Sequence, residues 1–123
     1  MIKQLLLVFL GGGLGSALRF IIAKNLNPIS SLPIGTLLVN FSGSLLIGFI
    51  LGLGLKQEVL SANTTLLLAT GFCGGYTTFS AFSFENQALL KAGDYMNFGI
   101  YSAGSIFLGI AAVLIGLWLS KMA

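Results

Sequence analysis

The chain has 123 residues, of which 56% are hydrophobic and 7% are charged, and its formal net charge is +3. Its mean hydropathy of +1.00 indicates an integral membrane protein. It contains no histidine and a single cysteine, so it lacks the Ser–His and Cys–His pairs of nucleophilic catalysis and offers no cluster of metal-ligating side chains. We therefore expect a membrane protein that is not an enzyme and does not bind nucleic acid.

Four apolar stretches predict four membrane-spanning helices, because a span needs about 20 mostly apolar residues. They cover residues 4–23, 34–55, 59–84 and 95–120. The predicted connections are short and polar, from Lys24 to Pro33, from Lys56 to Asn63 and from Glu85 to Asp94. The sequence thus predicts an all-α membrane protein with one four-helix transmembrane domain over residues 1–123, in which Pro33 marks the start of the second helix.

The first stretch has features of both a signal sequence and a retained helix. Lys3 precedes an apolar run, but the helical pattern continues to Lys24 without an A-x-A-like cleavage site, so we predict a retained helix. Its glycines at 11, 12, 13 and 15 follow no strand and do not indicate a dinucleotide site. Arg19 is the only cation within a span. It is either a functional residue or a side chain that snorkels to the interface.

Polar and small residues recur at every fourth position of the second and fourth stretches, which places them on one face of each helix. Within the second stretch, the glycines at 48 and 52 match the G-x-x-x-G pattern of close helix packing. The glycine pairs at 11/15 and 71/75 match it as well. Asn40 and Tyr101 are bulky for such a seam, and their donors would suit the lining of an anion pathway. The two stripes are Thr36, Asn40, Ser44, Gly48 and Gly52, and Asn97, Tyr101, Ser105 and Gly109.

Residues 71–85, GFCGGYTTFSAFSFE, predict a third helix that is broken near the membrane midplane. A helix break in lipid leaves main-chain groups without hydrogen-bond partners, which costs several kcal/mol of free energy per group. Such breaks are typical of ion and substrate sites. Phe79 and Phe82 are spaced i, i+3 and project from one face. The alternative is a packing kink with two lipid-facing aromatics.

Two further residues of this stretch have predicted roles. Cys73 is predicted to be a small buried hydrophobe. Glu85 is predicted to cap the helix, to pair with Arg19 or Lys91, or to face water.

The basic residues are balanced between the two sides of the predicted bundle. Three of them, Lys3, Lys56 and Lys121, belong to one side, and Lys24, Lys91 and possibly the nearby Arg19 belong to the other. Orientation normally follows an excess of Lys and Arg in cytoplasmic loops. Without that excess, the chain is predicted to insert both ways (dual topology) and to form an antiparallel homodimer in the lipid bilayer.

Three segments together resemble the Fluc (CrcB) family of fluoride channels in microbial membranes. They are GGGLGSALRF at 11–20, GTLLVNFSGS at 35–44 and GFCGGYTTFSAF at 71–82, and the likeness covers nearly the full length. The resemblance implies a dual-topology antiparallel homodimer in the cell (inner) membrane, with two fluoride pores along the subunit interface. It also implies a structural sodium ion at the dimer centre, held by the backbone carbonyls of Gly74 and Thr77.

The resemblance further implies roles for individual residues. Phe79 and Phe82 correspond to the family's "Phe box", whose electropositive ring edges suit an anion. Arg19 corresponds to a first-helix arginine tied to the break or the vestibule. Two positions depart from the family pattern, since Ala81 stands where a threonine is frequent and Gly109 where some relatives carry a hydroxyl. The implied pore residues are Phe79, Phe82, Asn40, Thr36, Tyr101, Ser105, Ser80 and Thr78.

The expected function is passive, selective export of fluoride, which lowers its concentration in the cytoplasm. No carboxylate lies at a predicted helix centre, so proton coupling has no carrier. One alternative is a small dual-topology multidrug exporter, a class that depends on a glutamate in the first span, where residues 4–23 contain none. Another is a non-transporting assembly subunit, which would leave the Asn40 and Tyr101 stripes and the two phenylalanines unexplained.

Overall fold

The computed structural model describes residues 1–56 and 59–123, and these residues form helices and short connections without a β-strand. Three helices are long and apolar enough to cross a membrane: Ile2–Ile29, Ile34–Gly54 and Tyr95–Met122. They confirm three of the four predicted spans. In order, the elements are α1 (Ile2–Leu26, followed by a 3₁₀ turn at Asn27–Ile29), α2 (Ile34–Gly54), α3 (residues 62–76), α4 (Phe79–Lys91) and α5 (Tyr95–Met122).

The remaining predicted span, residues 59–84, corresponds to shorter pieces. Helix α3 consists of an α-helical turn (Ala62–Thr65), a π-helix (Leu66–Cys73) and a last α-helical turn (Gly74–Tyr76). Thr77 and Thr78 then have extended backbone, with ψ of 157° and 125°. Helix α4 begins at Phe79, where the Thr78 hydroxyl accepts a 3.1 Å hydrogen bond from the Ala81 amide. The helical backbone is therefore interrupted at the two threonines.

The connection predicted from Glu85 to Asp94 is wrong in extent, because α4 continues to Lys91. Asn86 and Leu89 on its inner face are buried, so this segment is a packed helix and not an exposed loop. The helix ends at Lys91, and Gly93 just beyond it has a φ of 74°. The amide of Asp94 donates to the Leu89 carbonyl at 2.9 Å, as in a Schellman motif.

The other two connections differ from the prediction in smaller ways. Helix α1 continues through Lys24 to Leu26 before its 3₁₀ turn. Helix α2 begins directly after Pro33, as predicted. The connection predicted from Lys56 to Asn63 includes Gln57 and Glu58, which lie outside the described residues.

Helices α1 and α3 pack backbone to backbone along a seam of glycines. A Cβ at Gly11 would overlap the Leu67 carbonyl oxygen, and one at Gly15 would overlap the Phe72 carbonyl oxygen. From the opposite side, a Cβ at Gly75 would overlap the backbone of Gly12. The predicted packing role of the glycines at 11/15 and 71/75 is confirmed.

Helices α2 and α5 form a second close seam. A Cβ at Gly48 would overlap the Val113 carbonyl, and one at Gly52 would overlap the Ser120 side chain, which confirms the predicted packing at 48/52. Gly116 on α5, which the sequence patterns did not single out, approaches the Leu45 carbonyl equally closely. The second-helix stripe therefore divides into a packing end and a polar end.

Between α2 and α3, the buried residues Ile50, Ala69 and Cys73 form a small hydrophobic cluster. Cys73 has no exposed surface, which confirms its prediction as a small buried hydrophobe.

Substitution of Gly15 by alanine tests the α1–α3 seam against a control on the same helix. We expect Gly15→Ala to destabilise the folded protein by about 1–3 kcal/mol, because the added methyl group meets main-chain atoms that cannot move aside. Gly13→Ala is the control, since a Cβ there meets nothing within 4 Å. Thermal unfolding in detergent micelles would compare the two. Equal unfolding temperatures for both variants would contradict the seam.

Candidate functional site

A groove of about 260 Å³ lies beside the interruption between α3 and α4. Helix α2 forms one wall and α5 forms another. Five of the eight predicted pore residues meet here: Asn40, Thr78, Phe79, Phe82 and Ser105. The remaining lining residues are Ser44, Thr77, Ile106 and Gly109. The helix interruption and both polar stripes thus converge on one surface, although they come from distant parts of the sequence.

Asn40 pairs with the main chain of Thr78 through both ends of its side-chain amide. Its Nδ2 donates to the Thr78 carbonyl at 3.0 Å, and its Oδ1 accepts from the Thr78 amide at 2.7 Å. The side chain therefore satisfies the backbone where the helix is interrupted. Because an asparagine amide has two N–H donors, one donor is used in this pair and one is left for another partner.

Three aromatic rings form a row from the groove into the protein. The centroids of Phe79 and Phe82 are 5.9 Å apart, and those of Phe82 and Tyr101 are 5.2 Å apart. Phe79 is 79% exposed, whereas Tyr101 is 1% exposed. Ring edges carry partial positive charge, so the exposed end of this row could offer an anion an electropositive edge without a formal charge.

The two predicted serines, Ser105 and Ser80, differ in their position relative to the groove. Ser105 lines it, and its Oγ is buried without a hydrogen-bond partner within the described part of the chain. Buried hydroxyls are rarely left unpartnered, so a further partner is expected for this group. Ser80 is exposed, and its Oγ lies 3.2 Å from the Thr78 hydroxyl, at the start of α4.

Thr36 and Tyr101 do not line the groove but bind Glu85. The Thr36 hydroxyl donates to Glu85 Oε2 at 2.8 Å, and the Tyr101 hydroxyl donates to Oε1 at 3.3 Å. Both residues are almost completely buried. The carboxylate is therefore held by neutral donors. Of the roles predicted for it, pairing with Arg19 or Lys91 is not what the structure shows.

Asn27 completes this carboxylate network and was not predicted. Its Nδ2 lies 3.3 Å from Glu85 Oε2 and 3.1 Å from the Thr36 hydroxyl, while its Oδ1 accepts from the Thr36 amide at 3.0 Å. It thereby caps the first turn of α2, where Pro33 offers no side-chain acceptor. A second cavity of about 320 Å³ lies at the network, lined by Asn27, Ser30, Ser31, Pro33, Glu85, Ala88 and Leu89.

Arg19 lies against the last turn of α3. Its Nε donates to the Gly75 carbonyl at 3.2 Å, and the contact is partly buried. In a continuous helix that carbonyl would accept from the amide four residues later. The arginine therefore satisfies one of the acceptors that the interruption leaves free, and it joins α1 to the site.

The metal site implied at Gly74 and Thr77 would consist of main-chain oxygens only. The Thr78 amide, which would pair with Gly74 in a continuous helix, donates to Asn40 instead. The Gly74 carbonyl is thus without its helical partner, and oxygen ligands suit a hard cation. No group of three or more His, Cys, Asp or Glu side chains could hold a metal among the residues that the structure describes.

The sequence profile of the family described as "CrcB-like protein, Camphor Resistance (CrcB)" matches residues 6–117. The chain belongs to the CrcB-like family. Relatives named "Fluoride-specific ion channel FluC" match almost end to end. The one from Gloeothece citriformis is 46% identical over 96% of this chain and 97% of its own length. Those from Azobacteroides pseudotrichonymphae and Serratia proteamaculans are 43% and 40% identical, each over 98% of both chains.

Membership of the CrcB-like family and the three long apolar helices together show that the chain is a multi-pass membrane protein. The predicted family resemblance is confirmed.

Asn27 can be tested against a neighbouring asparagine with a local role. We expect Asn27→Ala to destabilise the protein by about 1–3 kcal/mol, because the Thr36 amide and the Glu85 carboxylate lose a partly buried partner. Asn25→Ala is the control, since the Asn25 side chain is exposed and donates only to Ile21 of its own helix at 2.7 Å. Denaturation midpoints in detergent would measure both. An Asn27 variant as stable as its control would refute the positioning role.

Proposed function

We propose that this chain forms a channel that conducts fluoride passively and selectively across the membrane. The groove carries this proposal, because it joins the rings of Phe79 and Phe82 to a hydroxyl without a hydrogen-bond partner among the described residues. Relatives that are 40–46% identical and named as fluoride-specific channels support it. A channel moves an ion without changing it chemically, so no enzymatic activity is part of this function.

The chemistry of the groove suits a small, strongly hydrated anion. Such an ion loses water in a narrow pathway, and replacement donors must bind it strongly enough for entry and weakly enough for exit. Ser105 and the second N–H of Asn40 supply neutral donors, and the rings of Phe79 and Phe82 supply electropositive edges. The lining residues carry no formal charge, so nothing in the groove would trap the anion.

Thr36 and Tyr101 take a different place in this proposal from the one predicted for them. Their hydroxyls bind the Glu85 carboxylate, so we place them beside the pathway, where they hold a negative charge away from the groove. Tyr101 then acts on the pathway through its ring contact with Phe82. Thr78 lines the groove, and its hydroxyl contacts that of Ser80, which is not among the lining residues.

We also propose that α3 and α4 together make a fourth membrane crossing, with the interruption near the midplane. Main-chain groups at such a depth need partners inside the protein. Asn40 and Arg19 supply partners for Thr78 and Gly75. The alternative of a packing kink would not require partners from two other helices.

The active form in this proposal is an antiparallel homodimer in the cell (inner) membrane, with two pores along the interface. The balanced basic residues favour insertion in both orientations. Phe79 is exposed at the groove mouth, and a second copy would enclose a groove that one chain leaves open. The interruptions of the two copies would then meet at the dimer centre.

Sodium fits this centre as a structural ion. The carbonyls of Gly74 and Thr77 would hold it, and it would supply positive charge that joins the ends of the two interrupted helices. The free Gly74 acceptor and the all-oxygen donor set support this assignment. Crystals grown in sodium and in a large organic cation would test it, since an identical, empty centre in both would refute the site.

The other two candidate functions have less support. A multidrug exporter of the small dual-topology class needs a carboxylate in its first helix, and Ile2–Leu26 contains none. A non-transporting assembly subunit would have no use for an unpartnered buried hydroxyl in an open groove. Neither accounts for relatives named as fluoride channels over nearly the full length.

Ion flux from liposomes tests the proposal directly. Purified protein in vesicles loaded with fluoride should release it rapidly once a potassium ionophore removes the opposing voltage. Release of chloride should be much slower, and fluoride release should persist without a pH gradient, because no carboxylate lines the groove to carry protons. Equal rates for the two halides, or a requirement for a pH gradient, would overturn the proposal.

Phe82→Ile provides the matching test of the site. Isoleucine keeps the hydrophobic volume but lacks the ring edge, so we expect a folded protein with strongly reduced fluoride flux. Phe84→Ile is the control, because Phe84 lies on the same helix, is 73% exposed and does not line the groove. If both variants conduct like the wild type, Phe82 serves only packing.

The antiparallel dimer can be tested by changing the charge balance. Adding two or three lysines between residues 56 and 63 should fix one orientation, and the reverse bias should follow from lysines added between residues 25 and 32. Each biased protein should be inactive alone and active when the two are coexpressed. Full activity of one biased form by itself would show that the dimer is parallel.

A further inference from the structure

One turn beyond Ser105, the α5 wall of the groove has a glycine and therefore no side chain. Ser105 and Gly109 are four residues apart and both line the groove, so they lie on one face of α5. Gly109 contributes no donor at its level. An anion that leaves the Ser105 hydroxyl in this direction would therefore find no hydrogen bond from α5.

The α2 wall carries a hydroxyl at this level. Ser44 follows Asn40 by one turn, and both line the groove opposite α5. A Cβ at Gly109 would stand 3.9 Å from the Ser44 oxygen and would have no closer neighbour. The Ser44 hydroxyl therefore lies next to the open space beside Gly109. A serine side chain at position 109 would occupy that same space.

We propose that Ser44 is a further residue that contacts the conducted anion, and that it supplies from α2 the hydroxyl that α5 lacks at Gly109. This inference rests on the proposed fluoride channel. Asn40 on α2 and Ser105 on α5 then supply donors from both walls, and Ser44 continues the donors one turn beyond Asn40. Without Ser44, a partly dehydrated anion would cross about one helical turn, roughly 5.4 Å, with no donor from either of these helices.

A second serine on α2 shows what a purely structural role looks like. The Ser42 hydroxyl lies 2.9 Å from the Tyr76 hydroxyl and 3.3 Å from the Val39 carbonyl, and Ser42 does not line the groove. It joins α2 to α3. Ser44 differs because it lines the groove and its side chain borders open space.

Fluoride flux through Ser44→Ala and Ser42→Ala channels separates the two roles. We expect Ser44→Ala to reduce flux about tenfold, the factor that corresponds to about 1.4 kcal/mol, with an unchanged elution volume and unfolding temperature in detergent. Ser42→Ala should conduct close to wild type, even if its unfolding temperature falls. Flux through Ser44→Ala equal to that of the wild type would overturn the proposal.

Moving the hydroxyl across the groove gives the sharper result. In the double variant Ser44→Ala/Gly109→Ser, the new serine has room, since its Cβ meets nothing within 3.9 Å. We expect the second substitution to restore most of the lost flux. A double variant as slow as Ser44→Ala would show that the hydroxyl does not serve the anion at this level, and would overturn the inference.

Failure of the channel itself would look different. If wild-type vesicles release no fluoride, or release chloride equally fast, the proposed function fails and this inference fails with it. If wild-type vesicles are fluoride-selective and Phe82→Ile is slow while Ser44→Ala is not, the channel stands and only the role of Ser44 is refuted.

Discussion

The main-chain groups that lose their helical partners at the interruption constrain the rest of this structure. An interrupted helix in an apolar protein leaves donors and acceptors that only the protein can satisfy. Asn40 reaches from α2 to both main-chain groups of Thr78, and Arg19 reaches from α1 to the Gly75 carbonyl. Two of the polar residues in the long helices are thus committed to supporting two residues of extended backbone. That support fixes the position of α4, and with it the row of aromatic rings.

The glycine seams make these short-range contacts possible. Arg19 can reach Gly75 because Gly15 lets the backbones of α1 and α3 come into contact. The position of Asn40 along the groove is set because Gly48 and Gly116 let α2 and α5 pack in close contact. Larger side chains at these positions would separate the helices by a few ångströms and leave the polar groups beyond hydrogen-bonding distance. Packing and site chemistry are therefore coupled through residues that contribute no chemistry of their own.

Much of this arrangement was predictable, and the limits have physical causes. Apolar length and four-residue spacing predicted four spans, of which three are confirmed, and the packing glycines, because these depend on patterns within single helices. That Asn40, Phe79, Phe82 and Ser105 line one groove depends on how three helices meet, and only the family resemblance implied it. The extent of α4 was missed since Glu85 and Asn86 are polar, yet α5 offers them Tyr101 and Ser102 as partners. Asn27 was missed for a related reason. It lies in a connection without periodicity, and its three hydrogen bonds depend on how α2 and α4 meet.

The separation of Glu85 from the groove shows how one chain can hold a carboxylate near a pathway for anions. All three donors that reach it, from Thr36, Asn27 and Tyr101, are neutral. A buried carboxylate needs such donors, because leaving it unsolvated costs several kcal/mol. Donors engaged in this way are not available to a passing anion. Those that remain, at Ser105 and on the second N–H of Asn40, belong to residues that line the groove, whereas Thr36, Asn27 and Tyr101 do not line it. The polar groups around α4 therefore fall into one set that holds the carboxylate and another that the proposed conduction would use.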